Sequence, residues 1–185
     1  MKRRIEVFLA IFILALPAFA TQAQTQAPAE MPKPDATPIS NHLRSDLADS
    51  AKNFVAAAEE MPADKYSYQP TPQQITFAHL VIHTTQANYT LCSKLSGATR
   101  PDIKLAETDG KDKLVPALKA SYDFCTTNLA NVDDSNLGEV IPLFGGHTAS
   151  RGATMMIMCA EFADHYSIAA MYLRLNGLLP PTAKK

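Results

Sequence analysis

Residues 150–177 read SRGATMMIMCAEFADHYSIAAMYLRLNG, and this stretch predicts one long helix. Residues on one face recur at steps of three and four, as the period of an α-helix requires; they are Met158, Glu161, His165, Ile168 and Tyr172. Thr148 or Ser150 supplies a start signal, and Arg174 suits the negative end of the helix dipole. Gly177 fits a left-handed cap, and Pro180-Pro181 follow it. The stretch therefore predicts a helix of about seven turns.

Three further runs with helical spacing precede this one. The first extends from Asn41 to Met61, where Pro62 stops it. The second begins at Thr71-Pro72-Gln73-Gln74, which offers an N-cap, a proline at the first helical position and a capping box, and it ends near Gly97. The third begins near Asp112 and passes Leu129. Four such helices predict an all-α four-helix bundle, with one short extended piece at residues 141–144.

Composition narrows the class of protein. The chain has 185 residues, of which 46% are hydrophobic and 19% charged. Without residues 1–20, which hold three basic residues and one acidic residue, 14 basic and 17 acidic side chains remain, a net charge of −3. A generic nucleic-acid binder needs a cationic face, so the charge excludes that class. The apolar fraction is ample for a core and argues against disorder.

The N-terminus resembles a secretory signal peptide. Lys2-Arg3-Arg4 precede an apolar segment of about a dozen residues, and Ala18-Phe19-Ala20 places small residues at the cleavage positions; a second cut after Ala23 is an alternative. The segment is too short to span a membrane, so we expect no stable membrane anchor after cleavage. The predicted organisation is a signal peptide (1–20), a flexible Gln/Pro-rich leader (21–39), the bundle (40–181) and a tail (182–185). We therefore expect a periplasmic or secreted protein.

Two histidines and a glutamate lie on the stripes that face inward. Glu161 and His165 are one turn apart on the fourth helix, and His83 lies on an apolar stripe of the second. A buried carboxylate needs a cation, a donor or water. Two imidazoles and a carboxylate suit Zn, Ni, Fe or Mn, and bundles build such sites from facing helices. The alternative is that Glu161 only accepts a hydrogen bond or forms an ion pair.

The other three histidines give weaker indications. His79 lies one turn before His83 and is an alternative ligand. His147 follows Gly145-Gly146 in a loop that could reach the mouth of the site, and an exposed turn is the simpler interpretation. His42, near the start of the first helix, is interpreted as a surface residue.

Three cysteines lie on three different predicted helices. In an oxidising compartment a disulfide between helices is expected, and we favour Cys92–Cys125, with Cys159 as a buried thiol. The alternative is that all three are small buried side chains without a bond.

Three stretches, in this order and at these intervals, resemble the DinB-like (DinB/YfiT) superfamily of metal-dependent enzymes. They are residues 61–72 (MPADKYSYQPTP), residues 76–83 (TFAHLVIH) and residues 160–168 (AEFADHYSI), the last leading to YLRLNG at 172–177. The resemblance covers residues 40–181, which is nearly the whole predicted domain.

The resemblance implies an up-down-down-up bundle with three metal ligands, usually histidines. One ligand comes from the second helix and two from a His-x-x-x-His pair on the fourth. By motif position these are His83, Glu161 and His165, and Glu161 departs from the three-histidine pattern. Relatives include thiol-dependent S-transferases and hydrolase-like members.

The sequence is therefore consistent with two functions. The first is an exported, divalent-metal-dependent enzyme of hydrolase or thiol S-transferase type that acts on a small molecule of unknown identity. The second is a non-catalytic helical binding or stress-response module whose metal site is degenerate. Surplus apolar residues on the first and fourth helices and the low net charge favour a homodimer, as is common in the family.

Overall fold

The computed structural model describes residues 33–184 and has four long helices. The helical spacing predicted from the sequence is present in each of them, and the core consists mainly of their apolar side chains. The predicted signal peptide and residues 21–32 of the predicted leader lie outside the described residues. The helices are α1 (Pro38–Glu60), α2 (Phe77–Ser96), α3 (Lys111–Leu129) and α4 (Arg151–Leu175), and the strands are β1 (Val140–Pro142) and β2 (Thr148–Ser150).

Helices α2 and α3 run in the same direction. Nδ2 of Asn88 donates to Oγ of Ser121 at 3.0 Å, and one turn later Cys92 is bonded to Cys125. The two contacts advance together along both helices, which is possible only if the helices are parallel. The long connection over residues 97–110 returns the chain to the starting end of the bundle.

Helix α1 runs opposite to α3, and α4 runs opposite to α2. Ser50 and Tyr122 share a hydrogen bond of 2.8 Å between their hydroxyls, whereas Arg44, earlier in α1, reaches the carbonyl of Val132 beyond the end of α3. Tyr172 near the end of α4 donates to the carbonyl of Ile75, just before α2. The bundle is therefore up-down-down-up, and the predicted four-helix architecture is confirmed.

The predicted Cys92–Cys125 disulfide is present and joins the parallel helices, with Cα atoms 5.3 Å apart. Both cysteines are fully buried in the core, so the bond lies among apolar side chains. Cys159 is free and only half-buried, contrary to the expectation of a buried thiol. It lines a groove between α4 and α1, which explains why it is only partly covered.

Two local predictions differ from the structure. Helix α2 begins at Phe77 with Thr76 as its N-cap, not at Thr71. The carbonyls of Tyr68 and Tyr66 accept the first N–H groups, those of Phe77 and Ala78, so the preceding loop already satisfies this helix end. In addition, the predicted short extended piece is one strand of an antiparallel hairpin formed by β1 and β2.

Helix ends follow the predicted glycine signals. Gly97 caps α2 at φ +77°, and Gly177 follows α4 at φ +74°, both in the left-handed region that favours glycine. No helix within residues 33–184 combines the length and apolarity needed to cross a membrane.

Candidate metal centre

Helix α4 presents Glu161 and His165 to the same side. Ser150 begins this helix by accepting a hydrogen bond from the backbone of Ala153, so the residues that follow keep a regular period. At a spacing of four, the two side chains lie one above the other, and Oε2 of Glu161 is 3.1 Å from Nε2 of His165. His165 is buried at 4% exposure, whereas 40% of the Glu161 side chain is accessible.

Helix α2 places His83 against this pair. Two contacts set the register between α2 and α4, one on each side of the site: the sulfurs of Cys92 and Met158 lie 4.0 Å apart, and Tyr172 bonds to Ile75. Between them the His83 and His165 rings meet edge to face, with centroids 4.9 Å apart. His83 itself is exposed, so it lies at the edge of the apolar stripe on which the sequence placed it.

One ligand atom from each of His83, Glu161 and His165 lies within 4.8 Å of the other two. Ligand atoms about 2.0–2.2 Å from a tetrahedral zinc ion are roughly 3.3–3.6 Å apart, so small side-chain rotations would bring the three to bonding distance. The donor set of two imidazoles and a carboxylate is one that Zn and neighbouring divalent metals accept. The residues present therefore fit a divalent metal ion.

The environment of His165 favours its neutral form. Burial, with a smaller contribution from His83, lowers the pKa of His165 from 6.5 to about 4, and Asp164 opposes the shift. Within the described residues its Nδ1 has no hydrogen-bond partner, and an imidazolium would need acceptors at both nitrogens. At neutral pH His165 is therefore uncharged, which is the form that binds metal.

A cavity of about 380 Å³ opens beside the three side chains, and His83 and Glu161 form part of its wall. Leu91 and Ile157 make part of the remaining wall apolar, and Phe144 reaches it from the hairpin with 60% of its surface exposed. Arg100, in the connection between α2 and α3, also lines the cavity and brings a positive charge to its wall. The cavity has room for a small molecule with an apolar body and an anionic group.

The sequence pattern did not identify Arg100 and Phe144 as residues of the site. Each belongs to a connection between helices, and helical periodicity carries no information about where a connection folds. The hairpin glycines around Phe144 were the one available signal, since they indicated a tight turn that exposes its neighbours.

His79, the alternative ligand, is not part of the cluster. Its Nδ1 lies 2.7 Å from Oε1 of Glu107, and Thr76 donates to the other oxygen of that carboxylate at 2.6 Å. The hydrogen bond from Thr76, and after it the one with His79, lowers the pKa of Glu107. His79 thus belongs to a polar contact between α2 and the connection that follows it.

The remaining two histidines also lie outside the cluster. His147 is exposed in the loop of the hairpin. His42 is exposed at the start of α1, as expected, and its Nε2 lies 3.4 Å from Oδ2 of Asp46.

Comparison with protein families shows a match to the DinB superfamily over residues 46–169. This range contains all three side chains of the cluster and more than half of the chain. No curated protein matches the chain.

Solved structures with the same fold include two DinB-like proteins. The protein from Bacillus subtilis is 18% identical, with a TM-score of 0.63, over 78% of this chain and 99% of that one. The protein from Bacillus cereus is 12% identical, with a TM-score of 0.61, over 76% of this chain and 95% of that one. A mycothiol-dependent maleylpyruvate isomerase is also similar, at 12% identity and a TM-score of 0.55, over 69% of this chain and 59% of that longer one.

Proposed function

The chain belongs to the DinB superfamily, and from that membership we propose that it is an enzyme that uses a divalent metal ion held by His83, Glu161 and His165. The observation that carries the proposal is the convergence of these three donors beside a cavity. Zn, Ni, Fe or Mn would suit the donor set. The half-exposed Glu161 and the exposed His83 leave the cavity side of the site open to a substrate.

Two reaction types agree with this site, hydrolysis and thiol transfer. A bound divalent ion would lower the pKa of a water or thiol ligand and so supply a nucleophile near neutral pH. The buried, neutral His165 would fix the position of the site, and Glu161 would reduce its net charge. A mycothiol-dependent enzyme has the same fold, which supports the thiol-transfer alternative.

We propose a small amphiphilic anion as the substrate class. Arg100 would hold the anionic group, because a guanidinium binds carboxylate or phosphate through two hydrogen bonds. Leu91, Ile157 and Phe144 would cover the apolar part and exclude water from the reacting centre. Substitution Arg100→Gln is expected to raise KM for anionic substrates more than it lowers kcat.

A specific observation favours the second candidate, a non-catalytic binding module. The 3.1 Å contact between Oε2 of Glu161 and Nε2 of His165 gives the carboxylate an imidazole neighbour without any metal ion. In such a module the cavity would bind its ligand through Arg100 and the apolar wall alone, and divalent metal would change neither affinity nor stability.

Metal analysis of the untagged protein distinguishes the two candidates. If the site is functional, Zn, Ni, Mn or Fe binds with near-unit stoichiometry at these ligands, and His83→Ala and His165→Ala each lose that ion while remaining folded. His147→Ala is the matched control and should retain it, since His147 lies outside the cluster. Failure of all four metals to bind at these ligands would favour the binding module.

Activity and export need separate measurements. Release of acid from small esters and loss of free thiol in the presence of an electrophilic anion would distinguish hydrolysis from thiol transfer.

We also propose periplasmic or secreted localisation, supported by the N-terminal sequence. The N-terminus of the protein recovered outside the cytoplasm should then be residue 21 or 24.

A further inference from the structure

A second group of metal-ligating side chains lies on the other side of α4. Cys159 precedes Glu161 by two residues, so the two side chains point about 200° apart around the helix. Glu161 faces α2, and Cys159 faces α1, where it lies beside His42 and Asp46. These last two residues are one turn apart on α1, with Nε2 of His42 3.4 Å from Oδ2 of Asp46.

We propose that Cys159, His42 and Asp46 form a second binding site, for a thiophilic divalent ion of the Zn²⁺ class. One ligand atom from each residue lies within 4.8 Å of the other two, as at the first site. A thiolate, an imidazole and a carboxylate are the three side-chain ligands that zinc takes most often. Three protein ligands leave a fourth position for water or for a group from outside.

The geometry of this second site matches that of the first. In each, a pair of residues at a spacing of four on one helix meets a single residue of the facing helix, so rigid helices position all three ligands. Because α1 and α4 are packed against each other, no rearrangement of the backbone is needed to close the site. The helix backbones are therefore preorganised, and metal binding would order only the side-chain rotamers, above all that of His42, whose side chain is 69% exposed.

Charge and access also favour a cation here. A groove of about 210 Å³ reaches Cys159 from one side and is lined by Asp46 and Asp49, and a second cavity of about 310 Å³ reaches it past His42 and Met155. Among the described residues, neither is lined by a lysine or an arginine that would neutralise the carboxylates. An incoming cation therefore meets a negative, open site.

The sulfur ligand makes the second site distinguishable from the first. Cobalt(II) replaces zinc in such sites, and a thiolate bonded to it absorbs in the near ultraviolet by charge transfer. The first site contains no sulfur ligand, and Cys92 and Cys125 have no free thiol because they form the disulfide. A thiolate-to-cobalt band in the oxidised protein would thus report on Cys159 alone, whether or not the first site binds metal.

The test is a cobalt titration of the untagged protein with its disulfide intact. We expect the band in the wild type, its loss in Cys159→Ser, and binding at least about tenfold weaker in the surface variant His42→Ala. His165→Ala should keep the band, and Asp49→Asn, a neighbour outside the ligand set, should keep it as well. Zinc should also slow alkylation of Cys159 by iodoacetamide.

Absence of the band at saturating cobalt, or its persistence in Cys159→Ser, would overturn the proposal. Unchanged alkylation in the presence of zinc would contradict it independently and needs no variant. A wild type that shows the band while His165→Ala binds the same total metal would instead count against the first site only.

Discussion

Oε2 of Glu161 lies 3.1 Å from Nε2 of His165, and the ring of His165 meets that of His83 edge to face. The resemblance to DinB-like proteins implies a histidine at position 161, and this chain has a carboxylate there, next to the buried imidazole of His165. Glu161 therefore has a role in either candidate function. It is a metal ligand in the enzyme, and it is the neighbour of His165 in a binding module that holds no metal. The identity of residue 161 is the point at which the two candidate functions differ most directly.

Substitution Glu161→His is expected to bind divalent metal at least as tightly as the wild type. The imidazole would complete a site with three nitrogen ligands, which zinc and nickel accept readily. Glu161→Ala is the matched control and should bind more weakly than both. Calorimetric titration with Zn²⁺ measures all three, each in a Cys159→Ser background so that the second proposed site does not contribute. Equal binding by Glu161→His and Glu161→Ala would show that residue 161 is not a ligand.

The stability of the metal-free protein is expected to fall between pH 6.5 and about pH 4 because of His165. In the unfolded chain this side chain has a pKa near 6.5, whereas burial lowers it to about 4 in the folded protein. Between pH 6.5 and about pH 4, His165 is protonated in the unfolded state but stays neutral in the folded state. The free energy of unfolding therefore decreases by up to about 3 kcal/mol. Below about pH 4 both states are protonated and the decrease ends.

Urea unfolding of the metal-free protein at a series of pH values measures this effect. Other groups titrate in the same range, so the comparison is with His165→Gln, which cannot take up the proton. The difference between the two curves isolates His165. Parallel curves from pH 7 to pH 4 would mean that His165 titrates normally in the folded protein.

Reduction of Cys92–Cys125 is expected to destabilise the bundle by about 2–4 kcal/mol. The bond closes a loop between positions 33 residues apart and joins two parallel helices. Under denaturing conditions the oxidised protein should react with one equivalent of thiol reagent and the reduced protein with three. Three reactive thiols before reduction would exclude the disulfide. Cys159→Ser should lower both counts by one and leave the effect of reduction unchanged.

The native Cys159 thiol is expected to react slowly with alkylating reagents near pH 8. Burial, followed by the charge of Asp46, raises its pKa to about 12, so almost none of it is thiolate at that pH. Asp46→Asn should speed alkylation because it removes the negative charge. The measurement is the rate of iodoacetamide labelling, with metal removed beforehand, and equal rates for the two proteins would exclude an influence of Asp46.

We also propose that the protein is a homodimer. Met171 and Leu175, one turn apart on α4, are 45% and 54% exposed, and Leu179 just beyond the helix is 62% exposed. Such neighbouring apolar side chains favour a symmetric contact. Light scattering at micromolar concentration should give twice the chain mass, and Leu175→Lys should shift it to the monomer. Ala120→Lys, which adds the same charge to α3, should not. A monomer throughout would contradict the proposal.

The sequence by itself determined the elements that depend on neighbours along the chain. Helical periodicity predicted four helices, and Gly97 and Gly177 predicted the ends of two of them. Both predictions succeed because helix propensity and capping depend on residues within one or two turns. The motif order indicated the DinB superfamily, and the spacing of Glu161 and His165 already placed both on one face of α4.

Only the tertiary structure decided what happens between helices. The true start of α2 depends on the carbonyls of Tyr66 and Tyr68, which fold back from the preceding loop. The partners of Cys159, His42 and Asp46, lie more than a hundred residues away in sequence, and Arg100 and Phe144 reach the cavity from connections. Such contacts depend on the register in which packed helices settle, and that register is fixed by the whole core and by no local pattern.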